Sequence, residues 1–388
     1  MNTPTPPRTS PGSAPTRDGL VLPRYAESAL TDLIPSALGG MGVTGSTNLL
    51  GIPVAKRYVV LLVDGLGWNL LNTYAAEAPY LASLLAGGRP ITSPAPSTTS
   101  TSLVSLGTGL PPGRHGVVGY TMAVPGTEQL LNTLRWDTTV EPLVWQPYPT
   151  LFERAEQDGV AVTLVSRKAF RGSGVTVAGL RGGQYVPADS AGQRIAGAAD
   201  ACARAQRTLV YVYEGDLDWT GHRDGCHSSA WRHQLAAIDA FIARLRKALP
   251  SDAVLLITGD HGMVDVPFGN RIDVDGDPAL RSGVYLVGGD PRMRYLYTRP
   301  GAAPEVVAAW RDRLSEEDAL VLTREEAVAS GWFGPVEDRV RARLGDVVIA
   351  SLGEVAVECA NVFPTESTLL GWHGSLTADE MLVPLLVA

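Results

Sequence analysis

Apolar residues gather along the chain in short unbroken runs that stop at acids or glycines. Four stand out: "RYVVLLVDG" (57–65), "VAVTLVS" (160–166), "TLVYVYEGD" (208–216) and "AVLLITGDHG" (253–262). None alternates apolar with polar positions, so each suits a strand buried on both faces of a parallel sheet. Helical spacing occupies the intervals. "WNLLNTYAAEAPYLASLL" (68–85) and "SSAWRHQLAAIDAFIARLRKAL" (228–249) each place apolar residues on one side of a helix. Strands alternating with helices predict an α/β fold, a doubly wound and mostly parallel sheet flanked by helices.

The texture changes between about 264 and 345. "SGVYLVGG" and "MRYLYTRPG" read as strands and "APEVVAAWRDRLSEE" as a helix, with sheet-like material again at "DVVIASLG" (346–353). The pattern predicts one domain over 23–388 that carries an inserted α+β cap at about 264–345. Residues 1–22 are rich in Pro, Thr and Ser and read as a disordered tail.

Composition narrows the partners. The 388 residues carry a formal net charge of -8 and a pI near 5.3. An acidic surface repels polyanions, which argues against nucleic acid polymers and anionic membranes. No apolar run approaches the length of a membrane span. The N-terminal stretch has no apolar core of a secretory signal, so a cytoplasmic location is expected. Cys202, Cys226 and Cys359 are scattered and odd in number, which fits a reducing interior and no disulfide framework.

The candidate chemistry lies where the buried runs end. Ligands of open α/β sheets bind beyond the carboxyl ends of the strands. Asp64 follows the first run, Asp216 and Asp218 follow "LVYVY", and Asp260 follows "LLITG". Carboxylates converging on one crevice repel one another, and a cation relieves that. His261 adjoins Asp260, and His222 stands four residues after Asp218, on the same side of a helical turn. Mixed Asp/His donors suit zinc or a similar first-row ion better than calcium. A lone Asp after a strand is commonly a helix cap; several such ends, two of them with His, make capping alone a poor explanation.

A second cluster is "PAPSTTSTSLVSLGTGLPPGRHG" (94–116). Hydroxyl side chains there open a helix after a proline-rich loop, where backbone N–H groups favour an anion. A nearby metal would turn such a hydroxyl into a nucleophile. His115 reads as structural. His373, in "GWHGS", sits in a tight loop near the C-terminus that could return to the site. Trp310 and Trp332, in the insert, are candidates for pocket lining, with a core role the favoured reading.

Taken together, "VDGLGW", "PSTTSTSLVSLGTGLPPGRHG", "DLDWTGH", "TGDHGM" and "WHG" resemble the alkaline phosphatase superfamily, and within it the nucleotide pyrophosphatase/phosphodiesterase branch. The resemblance runs from about Tyr58 to the C-terminus. It implies two divalent ions, most simply Zn2+. One would be held by Asp218, His222 and His373, the other by Asp64, Asp260, His261 and the nucleophile oxygen. Counting back from the Thr-Gly-Leu at 108–110 puts the nucleophile at Thr99, with Thr98 the alternative. The implied activity is hydrolysis of a phosphate ester or pyrophosphate bond in a small molecule or nucleotide, through a covalent phospho-threonine.

This chain departs from that branch in one place. The asparagine expected shortly after the His-Gly is replaced by Gly119 or Tyr120 in "HGVVGYTM". An arginine matching the one that grips a phosphate dianion in the monoesterases is not found either, which leans towards diesters. A phosphonate hydrolase, phosphomonoesterase or phosphomutase on the same scaffold is the rival enzyme. A protein that holds metal and ligand without turnover is the rival of another class.

Overall fold

The four apolar runs form the middle of one sheet. The computed structural model describes residues 16–17, 19–136 and 139–388. In chain order the main strands are β1 (Arg57–Val63), β2 (Arg89–Thr92), β3 (Ala161–Ser166), β4 (Gln184–Pro187), β5 (Thr208–Glu214) and β6 (Ala253–Thr258). They are followed by β7 (Val284–Asp290), β8 (Met293–Thr298), β9 (Ala319–Thr323), β10 (Val347–Ser351) and β11 (Leu382–Val387). The central seven-stranded sheet has the order β2-β11-β6-β1-β5-β3-β4. Pairing from β6 through β4 is parallel, and β11 runs antiparallel between β2 and β6.

Successive residues of β1 explain its unbroken apolarity. Tyr58, Val60 and Leu62 enter one core with Leu209 and Tyr211 of β5, whereas Val59, Leu61 and Val63 enter another with Val210 and Val212. Both faces are therefore covered, as the run of apolar residues predicts. Truncating one such leucine to alanine would remove about 2–5 kcal/mol of stability.

Strands β7–β10 make a separate four-stranded sheet of order β7-β8-β10-β9. The strand expected at 346–353 forms as Val347–Ser351, but it pairs within this smaller sheet. Alternation along β8 fastens the small sheet to the rest: Tyr295 and Tyr297 enter the main core, and Leu296 faces a local core around Trp310. Trp310 and Trp332 are both buried among apolar neighbours.

Two local readings differ from the outcome. The 68–85 stretch is not one helix. It breaks into Trp68–Thr73, a 3-10 turn at Ala75–Glu77 and Pro79–Leu85, because Pro79 has no N–H to continue the ladder. The tail expected at 1–22 falls largely outside the described residues. At its end Leu20 and Val21 are buried, and the Val21 amide donates to the Leu376 carbonyl at 2.7 Å.

Two helices carry the chemistry, α1 (Thr99–Thr108) and α2 (Asp216–Asp224), and a third, α3 (Ser229–Ala248), supports them. Helix α2 starts at the end of β5 and packs on α3. Because β1, β5 and β6 are parallel neighbours in register, the loops after them leave the same edge of the sheet.

Candidate active site

Asp64 is the first residue beyond β1, and its amide donates to the Glu214 carbonyl at 2.8 Å, so it leaves the sheet beside the end of β5. Gly65 follows in the left-handed region with φ +74°. A Cβ there would lie 3.0 Å from the Asp218 Cα. Only glycine lets the β1 and β5 ends approach this closely.

Helix α1 is stitched to the neighbouring loops. The Ser93 and Ser102 hydroxyls both donate to the Asp260 carbonyl, at 2.6 and 2.9 Å. The Ser97 hydroxyl donates to the Ser375 carbonyl at 2.6 Å, and the Ser97 carbonyl accepts from His373 Nδ1 at 2.9 Å. Thr98 caps the helix by backbone conformation, and Thr99 is its first residue. Thr99 Oγ1 lies 3.2 Å from His261 Nε2 and 3.4 and 3.5 Å from the two Asp64 oxygens. Thr98 lies on the Asp290 side and lowers the Asp290 carboxyl slightly.

The three histidines share one design. His222 Nδ1 meets the Gly371 carbonyl at 2.7 Å, His261 Nδ1 the Gly262 carbonyl at 2.9 Å and His373 Nδ1 the Ser97 carbonyl. A carbonyl only accepts, so each Nδ1 carries the proton, and each Nε2 is left with its lone pair when the ring is neutral. His261 and His373 stack at 3.6 Å between centroids.

Those lone pairs point at carboxylates. His222 Nε2 and His373 Nε2 are 3.4 and 3.8 Å from oxygens of Asp218. His261 Nε2 is 3.5 Å from an oxygen of Asp64 and from Asp260 Oδ2. Asp218, His222 and His373 form one group, with donor atoms within 4.8 Å of one another; Asp64, Asp218 and His261 form a second. Asp218 therefore belongs to both, a sharing that spacing along the chain did not reveal.

The electrostatics need a counter-charge. Burial pushes the Asp64 carboxyl well above its ordinary range, and Asp260 and Asp218 add to the rise. Burial likewise raises Asp260. His373 is held well below the usual imidazole value by burial, then by His261 and His222. Asp218 Oδ1 and Asp260 Oδ2 have no hydrogen-bond partner among the described residues, and an unsatisfied buried acceptor costs about 1–3 kcal/mol. Lone pairs and orphan carboxylate oxygens turned on the same space fit divalent metal ions. A further Cys226, His227 and Asp265 group differs. There both Asp265 oxygens accept backbone amides, and His227 Nδ1 is taken by the Tyr74 hydroxyl.

All seven residues singled out from the sequence thus meet at one sheet edge. His115 stands apart, buried and bonded to Ser105 at 2.8 Å. Several neighbours had escaped notice. The Tyr213 hydroxyl donates to Asp64 Oδ2. Asp290 ends β7 and accepts the Tyr120 amide at 3.1 Å. Asp290, an acid at a strand end, could have been found by the rule that found Asp64. Glu366 opens a short 3-10 turn, Glu366–Thr368, with no such signal.

Two cavities meet at Thr99. One, of about 260 Å³, is lined by Tyr120, Asp290, Glu366, Leu369 and Trp372. The other, of about 470 Å³, is lined by Ser166, Arg167, Phe170, Ser173 and Tyr213. They share Thr99, Leu134, Asp218 and Trp219.

The pattern of the type I phosphodiesterase / nucleotide pyrophosphatase family matches residues 58–376. Among solved structures, murine ectonucleotide pyrophosphatase / phosphodiesterase 5 superposes with a TM-score of 0.68 at 18% identity, covering 85% of this chain and 87% of that one. An inactive variant of that murine protein in complex with AMP gives the same TM-score of 0.68, identity and coverage. Phosphonoacetate hydrolase from Sinorhizobium meliloti 1021, in complex with phosphonoacetate, reaches a TM-score of 0.65 at 19% identity, covering 86% of this chain and 90% of that one. At these identities the likeness to the solved structures speaks for the fold.

Proposed function

The chain belongs to the type I phosphodiesterase / nucleotide pyrophosphatase family, and from that premise we propose that it cleaves a phosphodiester or pyrophosphate bond of a small molecule through a covalent phospho-threonine at Thr99. The observation that carries this reading is the arrangement around Thr99 Oγ1: three imidazoles with Nδ1 tied to carbonyls and Nε2 turned on Asp64, Asp218 and Asp260.

Asp218, His222 and His373 would hold one divalent ion, and Asp64, Asp260, His261 and Thr99 another. Zinc suits that donor set. Such ions, when bound, neutralise phosphoryl oxygens and make a hydroxyl more nucleophilic. Thr99 Oγ1 forms the new bond to phosphorus as the bond to the leaving oxygen breaks, and the electron pair departs with that oxygen. The threonine proton has an acceptor in Asp64, 3.4 Å away. Tyr213 holds the other Asp64 oxygen in place. Water then attacks phosphorus from the opposite side and passes a proton to the departed oxygen; the bond from phosphorus to Thr99 Oγ1 breaks, and Oγ1 recovers its proton. Phosphoryl transfer asks mainly for positioning and charge neutralisation, and the N-terminus of α1 favours the anion.

The two cavities favour a diester, because each can receive one ester arm. Among the described residues, Arg167 is the only Lys or Arg lining either cavity, and it pairs with Asp216. The extra charge of a monoester would therefore meet no free cationic side chain. Three buried free cysteines suit a reducing compartment, and we read the protein as cytoplasmic. No helix among the described residues is long and apolar enough to cross a membrane.

Zinc-loaded protein assayed in parallel on bis(4-nitrophenyl) phosphate, 4-nitrophenyl phosphate and phosphonoacetate tests the reading. The diester is expected to turn over fastest. Preferential phosphonoacetate cleavage would replace it with the phosphonate hydrolase reading, and no turnover of any of them would favour a binding protein.

A further inference from the structure

The smaller cavity beside Thr99 has an unusual charge pattern. Among the described residues its lining holds two carboxylates beyond the candidate metal ligands, Asp290 and Glu366, and no Lys or Arg. Both are buried, with 2% and 5% of their surface exposed. Glu366 Oε2 pairs with Arg294, but Glu366 Oε1 has no partner among the described residues. Each nitrogen of the Arg294 guanidinium has a partner, since it also donates to the Val357 carbonyl at 2.8 Å and the Gly289 carbonyl at 3.4 Å. Two carboxylates against one guanidinium leave negative charge in excess along this cavity wall once both are ionised.

We infer that this cavity is a subsite for a positively charged, hydrogen-bond-donating arm of the substrate, such as an alkylammonium group. The inference rests on the phosphodiesterase reading above and names its substrate class. An ammonium would balance the charge of the Glu366 carboxyl, whose Oε1 has no partner among the described residues. Trp219 and Tyr120 line the same cavity, and aromatic rings attract cations. Burial holds Asp290 up at about 6 and Glu366 at about 7, so a cation placed between them would also favour their ionised forms. An arm carrying further phosphates, or the carboxylate of a phosphonocarboxylic acid, would meet like charge here and is disfavoured.

The test uses two aryl diesters that differ in one group: 2-aminoethyl 4-nitrophenyl phosphate and its uncharged analogue propyl 4-nitrophenyl phosphate. On zinc-loaded protein the ammonium ester is expected to have a kcat/KM at least about tenfold higher, equivalent to about 1.4 kcal/mol. Glu366→Gln, which can still bond Arg294, should bring the ratio towards one. If that variant does not fold, Asp290→Asn carries the same expectation. Binding of both esters to Thr99→Ala, measured by calorimetry, separates the two readings. A tenfold binding preference without turnover by the unmodified protein would sink the phosphodiesterase reading and keep the subsite. Equal binding of the two esters would overturn the subsite whatever the turnover.

Discussion

His222 and His373 face each other through their Nε2 atoms at 3.2 Å, while the Nδ1 of each is held by a backbone carbonyl. Two neutral imidazoles in that posture present lone pair to lone pair. Nothing in hydrogen bonding rewards the contact; an ion accepting both pairs does. Asp218 completes the group with an oxygen that no donor among the described residues reaches.

Removing metal should therefore destabilise the protein as well as silence it. Saturating zinc at a hundred times its Kd would add about 2.7 kcal/mol to folding stability. Differential scanning calorimetry of chelated and zinc-restored protein is expected to show the melting temperature fall and recover, with activity following. Identical melting curves and no bound metal by elemental analysis would reject the metal reading.

Thr99→Ala is expected to keep its metal content and lose turnover by about 10³-fold or more, the scale seen when a nucleophile is removed. Thr98→Ala should stay within about tenfold of the unmodified protein, because it is Thr99 Oγ1 that lies against His261 and Asp64, and a lost side-chain hydrogen bond elsewhere is worth about 1 kcal/mol. A steady-state comparison decides between them. The reverse ranking would transfer the role to Thr98.

Gly65→Ala puts a methyl 3.0 Å from the Asp218 Cα and 3.3 Å from its Oδ1, at φ +74°. Asp218 must move, and both ligand groups contain it. Zinc affinity is expected to drop by about 10–100-fold, the range for disturbed support of metal ligands. Competition with a chromophoric chelator measures it, and unchanged affinity would show that Asp218 is not held by this contact.

His115 makes acid stability a test of the core. The Val117 amide donates to its Nδ1 at 3.1 Å, so Nε2 carries the proton and donates to Ser105 Oγ at 2.8 Å. Burial, then Arg339 and Arg343, hold its pKa down at about 3 against an ordinary 6.5. The unfolded chain therefore takes up a proton first as pH falls, and stability declines from pH 6.5 towards about 3. Between pH 6.5 and 4.5 this group alone should remove about 2–3 kcal/mol. His115→Gln should be less stable at pH 7.5 yet lose less over that interval, as read from urea midpoints. Parallel pH profiles would show that His115 does not stay neutral in the fold.

Much of this was legible along the chain because burial on two faces leaves a local mark. The apolar run 57–63 needs no distant information to be recognised as a central strand, and Asp64 after it lies where parallel strands place ligands. His222 was tied to Asp218 by helical spacing. Asp290 carried the same strand-end signal within a segment read mainly as a cap. Glu366 and Tyr213 carried none, since an acid in a short 3-10 turn and a tyrosine in a strand are ordinary until something is packed beside them.

Residues 58–376 thus announced the family and the parallel sheet, for periodicity and motif order are properties of neighbouring positions. Which residues share a metal group, which threonine faces the histidines and which carboxylates close the smaller cavity were decided by folding. Those relations join positions as far apart as Ser97 and His373. Their distances follow from register, helix packing and the steric room left by residues such as Gly65, and no local stretch of sequence encodes them.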